Sequence, residues 1–223
     1  MNAVIKVDVW SDIACPWCYV GKRRLEAGVE AFRAEHPAVE VEVEYHSFEL
    51  SPATPVDYAG REVDFLREHK GVPEAQARAM IAQITGIAAE VGLRYDFDAL
   101  QHTNTLKAHQ LLHYAKAHGR QREAVERLMS AYFVEGRHIG RDESLAELAA
   151  EIGLDRQDVL RSLATEEHLS AVHRDQARAA DYGITGVPFY VIDGRYGVSG
   201  AQRPETFTEV LRQVTGERAV VSP

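Results

Sequence analysis

Cysteine is nearly absent from this chain. Its 223 residues include two, Cys15 and Cys18, three positions apart. A bridge between them would close too small a loop to brace a fold. A disulfide-stapled scaffold is therefore excluded, and a pair at this spacing reads as catalytic or metal-binding. Long apolar runs are also missing: nothing approaches the ~18 residues needed to cross a bilayer. Lys6, Asp8 and Asp12 interrupt any apolar core of a signal peptide, so the expected compartment is the cytoplasm. Positive charge is short too. Lys and Arg number 25 against 34 Asp and Glu, a formal net charge of −9. That balance argues against nonspecific partnership with nucleic acid or an anionic membrane, which both need a positive field. The densest basic cluster, Lys22-Arg23-Arg24, reads as a solvated helix face.

What is present is the balance of a globular protein, 45% hydrophobic and 26% charged. The length suits one core carrying a large insertion. Residues 3–10 alternate Ile5, Val7 and Val9 against Lys6 and Asp8, which predicts a strand. From Pro16 the period turns helical, with Val20, Leu25, Val29 and Phe32 on one face. Residues 39–46 alternate again, completing a βαβ unit of parallel pairing. Helices are expected at 58–70, 74–92, 104–118, 120–135, 143–152, 156–164 and 166–182. Gly71 and Gly119 are read as breaks, Asp142 and Asp155 as N-caps, and Thr165 as the cap before Glu166. Strand character returns at 187–192, Asp193-Gly194 signals a hairpin to 195–199, and a last helix spans 204–215 before a loose tail. The fold class is therefore α/β: a mixed sheet flanked by helices, carrying a large all-α insertion. The sheet domain comprises 1–57 and 183–223, helix 166–182 bridges, and 58–165 is the helical insertion.

The strand–cysteine–helix order carries the chemistry. A thiolate, not a thiol, exchanges disulfides. Cys15 precedes Pro16 at a helix N-terminus, where unpaired N–H groups favour negative charge. Its pKa is expected to fall into the roughly 3.5–7.5 range of such motifs. Cys18, one turn on, is less exposed. Cys15 is then the attacker and Cys18 the resolver, while Trp17 offers an apolar lip to a substrate. Zinc would need two further ligands. No second cysteine pair exists, and His109 and His113 read as solvated or second-layer residues, so no metal is expected.

Val7-Asp8-Val9-Trp10-Ser11-Asp12, leading into Cys15-Pro16-Trp17-Cys18-Tyr19-Val20-Gly21-Lys22, resembles the DsbA-like thioredoxin-fold proteins. The nearest branch is the FrnE-type dithiol-disulfide isomerases or oxidoreductases. Gly183-Ile184-Thr185-Gly186-Val187-Pro188-Phe189-Tyr190-Val191 resembles that family's cis-proline segment, and Asn104-Thr105, Ala108-His109 and Ala131-Tyr132-Phe133 resemble the branch's insertion. The resemblance implies a thioredoxin-like fold, a cis bond between Val187 and Pro188, and an active site of Cys15, Pro16, Trp17, Cys18, Val187 and Pro188. It also implies an acid that moves the Cys18 proton; Asp8 is the nearest strand candidate, at a spacing one residue longer than in thioredoxin. Trp17 stands where DsbA-like oxidants commonly have histidine, which argues against a strongly oxidising couple.

The expected activity is thiol–disulfide exchange or isomerisation on a protein or small-molecule substrate. No cofactor is called for beyond the redox-active disulfide, with glutathione as a candidate co-substrate. A homodimer through exposed faces of the helical block is an open expectation. Two other readings remain. One is a glutathione-dependent kappa-class transferase or 2-hydroxychromene-2-carboxylate isomerase, which shares the fold but needs no resolving cysteine. The other is a peptide-binding chaperone module using the surface around Trp17 and Pro188.

Overall fold

The computed structural model describes residues 4–221. Strand β1 (Val4–Ser11) feeds helix α1 (Pro16–Glu35), which returns to β2 (Glu40–Ser47). A helical run follows: α2 (Glu62–Lys70), α3 (Glu74–Glu90), α4 (Leu106–Ala117), α5 (Gln121–Phe133), α6 (Asp142–Glu151), α7 (Arg156–Ala164) and α8 (Leu169–Asp181). Strands β3 (Phe189–Ile192) and β4 (Tyr196–Ser199) and helix α9 (Pro204–Val221) close the fold. The sheet order is β2-β1-β3-β4. β1 pairs parallel with β2, Val7 opposite Val43, and antiparallel with β3, Val9 opposite Tyr190. Asp193 and Gly194 both take left-handed φ, 57° and 66°, as a two-residue hairpin turn requires. This is the mixed sheet that the alternation and turn chemistry predict, and the thioredoxin-like fold that the family resemblance implies.

Strand alternation sends Ile5, Val7 and Val9 to one face, where they join Leu25 and Phe32 of α1 and Phe207 and Leu211 of α9. α1 and α9 approach closely because Gly28 lacks a side chain: a Cβ there would lie 2.6 Å from the Pro204 carbonyl oxygen. On the other face Trp10 and Val191 pack against Ala179 of α8 and against Ile184. The first cluster does not stop at the sheet. It continues through Leu111, Leu128, Leu145 and Val159 of α4 to α7, joining segments that the sequence divides at 57 and 166.

Several element ends differ from expectation, each for a local reason. α2 begins at Glu62 rather than 58; Tyr58 instead turns its hydroxyl to Glu68 from outside the helix, 2.7 Å away. α4 starts at Leu106, its N–H held by the Asn104 side chain at 2.8 Å. Asp155 caps α7 as read, accepting from the N–H groups of Gln157 and Asp158. Asp142 does not cap α6. It is the first helical residue, and its carboxylate takes Lys107 at 3.1 Å. Thr165 closes α7 instead of opening α8, because its hydroxyl donates back to the Arg161 carbonyl. α9 runs through Gly216 rather than stopping before it. Arg218 ties that last stretch to Asp193 and to the Val4 carbonyl, and Glu217 accepts from Tyr196. The loose tail expected at 217–223 is thus helical as far as Val221, and positions 222–223 lie outside the described residues.

Lys22-Arg23-Arg24 is not a solvated face. Lys22 is 5% exposed and bonds Glu26 and Glu126, Arg23 reaches both carboxylates, and Arg24 donates to the Ala201 carbonyl. Glu126 lies on α5, so this charge cluster fastens the helical run to α1. No described helix is long and apolar enough to cross a membrane.

Candidate active site

The motif occupies the junction that strand and helix periods foretold. Cys15 is the N-cap of α1, its backbone extended at φ −90° and ψ 110°, and Pro16 follows at the first helical position. Proline suits that position, since its missing N–H would have no partner there. The loop is held by its own backbone: Cys15 N–H donates to the Asp12 carbonyl at 3.2 Å, and Cys18 N–H to the Cys15 carbonyl at 3.0 Å. No acidic residue occupies the first turn to offset the helix field at Cys15.

Both sulfurs are free thiols and both are buried, Cys15 at 4% and Cys18 at 2% exposure. Exposure alone barely separates them; their surroundings do. Cys15 borders a cavity of about 660 Å³, together with Pro16, Trp17, Gly186 and Val187. Both cysteines belong to the core cluster, but Cys18 does not line that cavity. Burial pushes the Cys18 thiol well above its ordinary value, and contact with Cys15 acts the same way, while Ser11 and the Asp12 backbone pull partly back. Cys18 is thus held as a protonated reserve.

Val187 and Pro188 are brought to the motif from 172 residues away. The Cys15 thiol lies 3.6 Å from the Val187 carbonyl oxygen. The Val187–Pro188 peptide is cis, and Pro188 is buried beside α1 near Gly21. Trp17 is 40% exposed at the rim, where the apolar lip was expected.

Asp8 is placed elsewhere. Its side chain leaves β1 on the face opposite Val7 and Val9, away from the cluster that holds Cys18. There it bonds His46 Nε2 at 2.6 Å, with Lys6 at 3.3 Å and Arg178 at 3.6 Å. It does not stand beneath Cys18, because the strand alternation that buries the valines turns it the other way. Asp8, Glu44 and His46 form a close cluster, and Lys6, Lys116 and Arg178 already engage its carboxylates. His46 also meets Asp175 of α8 at 3.0 Å and stacks on Trp10.

Three contacts escaped the sequence reading. Asp12, buried beneath the Cys15 loop, accepts from Leu50 N–H at 2.8 Å and pairs with His109 Nε2 at 3.3 Å. Burial pushes the Asp12 carboxyl up, yet the His109 and Leu50 contacts win and hold it below its ordinary value. His109 is therefore a second-layer residue with no exposure, and His113 is likewise shielded, facing Asp175 at 3.0 Å. Tyr95 donates from the helical run to the Pro16 carbonyl at 2.7 Å. His109 and Tyr95 lie 97 and 79 residues from their partners, beyond any local pattern. Only the helical period that turns His109 inward was there to be read.

A buried dithiol on a βαβ unit, with a proline loop at its flank, now stands beside the comparisons with known proteins. The model of the DSBA-like thioredoxin domain matches residues 6–212. The chain belongs to the DSBA-like thioredoxin family. It is similar to a probable DsbA oxidoreductase from Streptomyces coelicolor, 40% identical, covering 96% of this chain and 91% of that one at a TM-score of 0.87. It is also similar to the uncharacterized protein YwbO of Bacillus subtilis (strain 168), 29% identical over 93% of this chain and 96% of that protein. The cytosolic disulfide reductase DsbM from Pseudomonas aeruginosa, at 20% identity, covers 94% of this chain and 98% of that one with a TM-score of 0.67, a likeness of fold. As a DsbA-like protein the chain is a thiol–disulfide oxidoreductase by family.

Proposed function

We propose that this protein exchanges disulfides through Cys15 and Cys18, as a reductase or isomerase of the FrnE type. The observation that carries this reading is the asymmetry of the pair. Cys15 sits on a helix N-terminus at the wall of an open cavity, whereas Cys18, one turn on and 2% exposed, does not line it. Attack by the Cys15 thiolate on a substrate disulfide forms a Cys15–substrate mixed disulfide and expels one substrate thiol. Cys18 then loses its proton and attacks Cys15 Sγ, releasing the second thiol and leaving the Cys15–Cys18 disulfide. Two electrons pass from the dithiol to the substrate; running the steps backwards oxidises a substrate instead. An incoming chain would lie along Val187, whose carbonyl already faces Cys15. A cytoplasmic setting fits a chain whose only cysteines serve no bracing role, and its reducing poise favours the dithiol form.

The test is equilibration in glutathione buffers with Cys18→Ser alongside. The wild-type couple should form a reversible disulfide, and Cys18→Ser should accumulate a mixed disulfide on Cys15 visible by mass. A Cys18→Ser protein that keeps full turnover with no trapped adduct would instead favour the glutathione-dependent transferase or isomerase reading. Activity retained in the Cys15→Ser, Cys18→Ser double variant would favour the chaperone reading.

A further inference from the structure

The cavity beside Cys15 is larger than disulfide exchange requires. Its far wall is the α2–α3 pair, so it is a chamber between the catalytic loop and the helical run rather than an open strip of sheet. At about 660 Å³ it has the size of a small-molecule site. Leu50, Phe65, Leu66, Met80 and Ile81 make its wall apolar, and Trp17 roofs it at the rim.

The charges at its edge are uneven. Two carboxylates border it, and both are spoken for: Glu62 bonds His102 at 2.9 Å, and Asp12 bonds His109. On the same border Lys70 and His69 are exposed, and neither is paired with a carboxylate among the described residues. The His69 ring rests on Phe65, one turn earlier in α2, 3.9 Å between centroids. An unneutralised ammonium at the mouth of an apolar chamber favours a ligand with an apolar body and an anionic end.

Building on the exchange chemistry above, we propose that the chamber selects a low-molecular-weight disulfide carrying a flat apolar group and a carboxylate. The apolar group would lie between α2–α3 and Trp17, the carboxylate would face Lys70, and one sulfur would meet Cys15. The electron count is that of the exchange already described: the dithiol becomes the Cys15–Cys18 disulfide, and the substrate disulfide takes two electrons and two protons to become two thiols.

The experiment is single-turnover kinetics of the pre-reduced protein with three probes. Dithiobis(nitrobenzoate) is aromatic and anionic, dithiodipyridine is aromatic and neutral, and hydroxyethyl disulfide is small and neutral. Leu66→Trp fills the chamber from α2. It should lower the rate constant for both aromatic probes, relative to hydroxyethyl disulfide, by roughly tenfold, the scale at which an apolar pocket discriminates. Lys70→Ala should lower dithiobis(nitrobenzoate) alone, by roughly threefold at low salt, with the effect fading as ionic strength rises. Variant effects equal across the three probes would overturn the proposal. Binding is checked without redox chemistry by titrating the Cys15→Ser, Cys18→Ser protein with nitrobenzoate and reading affinity by calorimetry. Saturable binding weakened by Leu66→Trp is expected, and no binding overturns the proposal whatever the kinetics. If nitrobenzoate binds but no probe is reduced by the wild type, the exchange reading fails while the chamber's ligand class stands.

Discussion

At the scale of single residues, a carboxylate and a histidine support the reactive loop. Asp12 is the carboxylate, joining the loop before Cys15 to Leu50, three residues past β2, and to His109 of α4. Its folded-state pKa is depressed, so the stability it brings is present above the unfolded value, about 3.9. That stability is lost as the pH falls through the lower folded value. Asp12→Asn is therefore expected to cost about 1–3 kcal/mol at neutral pH, the scale of a disturbed buried hydrogen-bond set. Denaturant titrations of both proteins check this, and the gap should close in acid. A gap that stays constant from neutral pH into acid would mean that the carboxylate charge is irrelevant. Residues whose placement follows from near neighbours were legible in advance: Cys15 at its junction, Pro16 at the first helical position, Trp17 between the cysteines. Val187 and Pro188 were reached only through a family resemblance. Asp8 misled because acidity on the right strand was visible while its sense, toward α8 rather than α1, depends on which strand face each helix covers.

At the scale of elements, two joints hold the sheet between its helices. The α1–α9 joint depends on Gly28. Adding one methyl there forces the Pro204 carbonyl away and presses on Phe207, 2.9 Å from the new atom. Overpacking of this kind costs roughly 1–3 kcal/mol, so Gly28→Ala should lower the thermal midpoint measurably without changing the secondary-structure spectrum. An unchanged midpoint would show that the helices can separate freely. The joint between the sheet and α8 is electrostatic. Burial alone would lower the His46 pKa, but the hydrogen bonds to Asp175 and Asp8 outweigh it and raise the value. A raised histidine pKa stabilises fully below its unfolded value, about 6.5, and the benefit drains away as the pH climbs through the folded value. His46→Phe takes one partner each from Asp8, which keeps Lys6 and Arg178, and Asp175, which keeps His113, and should cost about 1–3 kcal/mol. The deficit should be greatest at mildly acid pH, where both carboxylates are still charged, and should shrink toward alkaline pH. A deficit that grows with pH would contradict the charged-histidine account. Element identities were readable because alternation and helical period are local properties. Element ends were less so: Asp142 and Thr165 carry cap-forming side chains, but each found a different partner, one on α4 and one in its own helix.

At the scale of the whole molecule, the division into sheet and insertion describes the order of the chain better than its mechanics. The helical run contributes Tyr95 to the Pro16 carbonyl, Gln121 to the Tyr45 backbone, and Glu126 to Tyr19, Lys22 and Arg23. Those ties reach both α1, which carries Cys18, and β2. Burial pushes the Glu126 carboxyl up, but the Arg23 and Lys22 contacts dominate and bring it down to about 2. The tie therefore stays charged well into acid. The sequence could not show this, because the basic run on α1 and its acidic partner on α5 lie 103 residues apart. A core that is continuous from Val7 to Leu145 leaves no plane along which one half could melt while the other keeps its packing. Heating the intact protein at neutral pH should then give one calorimetric transition whose direct and van't Hoff enthalpies agree. In a Cys15→Ser protein, the buried Cys18 thiol should become open to a thiol-labelling reagent in that same transition. Two resolved transitions, with Cys18 labelled only in the second, would mean that the insertion folds as its own unit and that the support it lends the Cys15 loop is incidental.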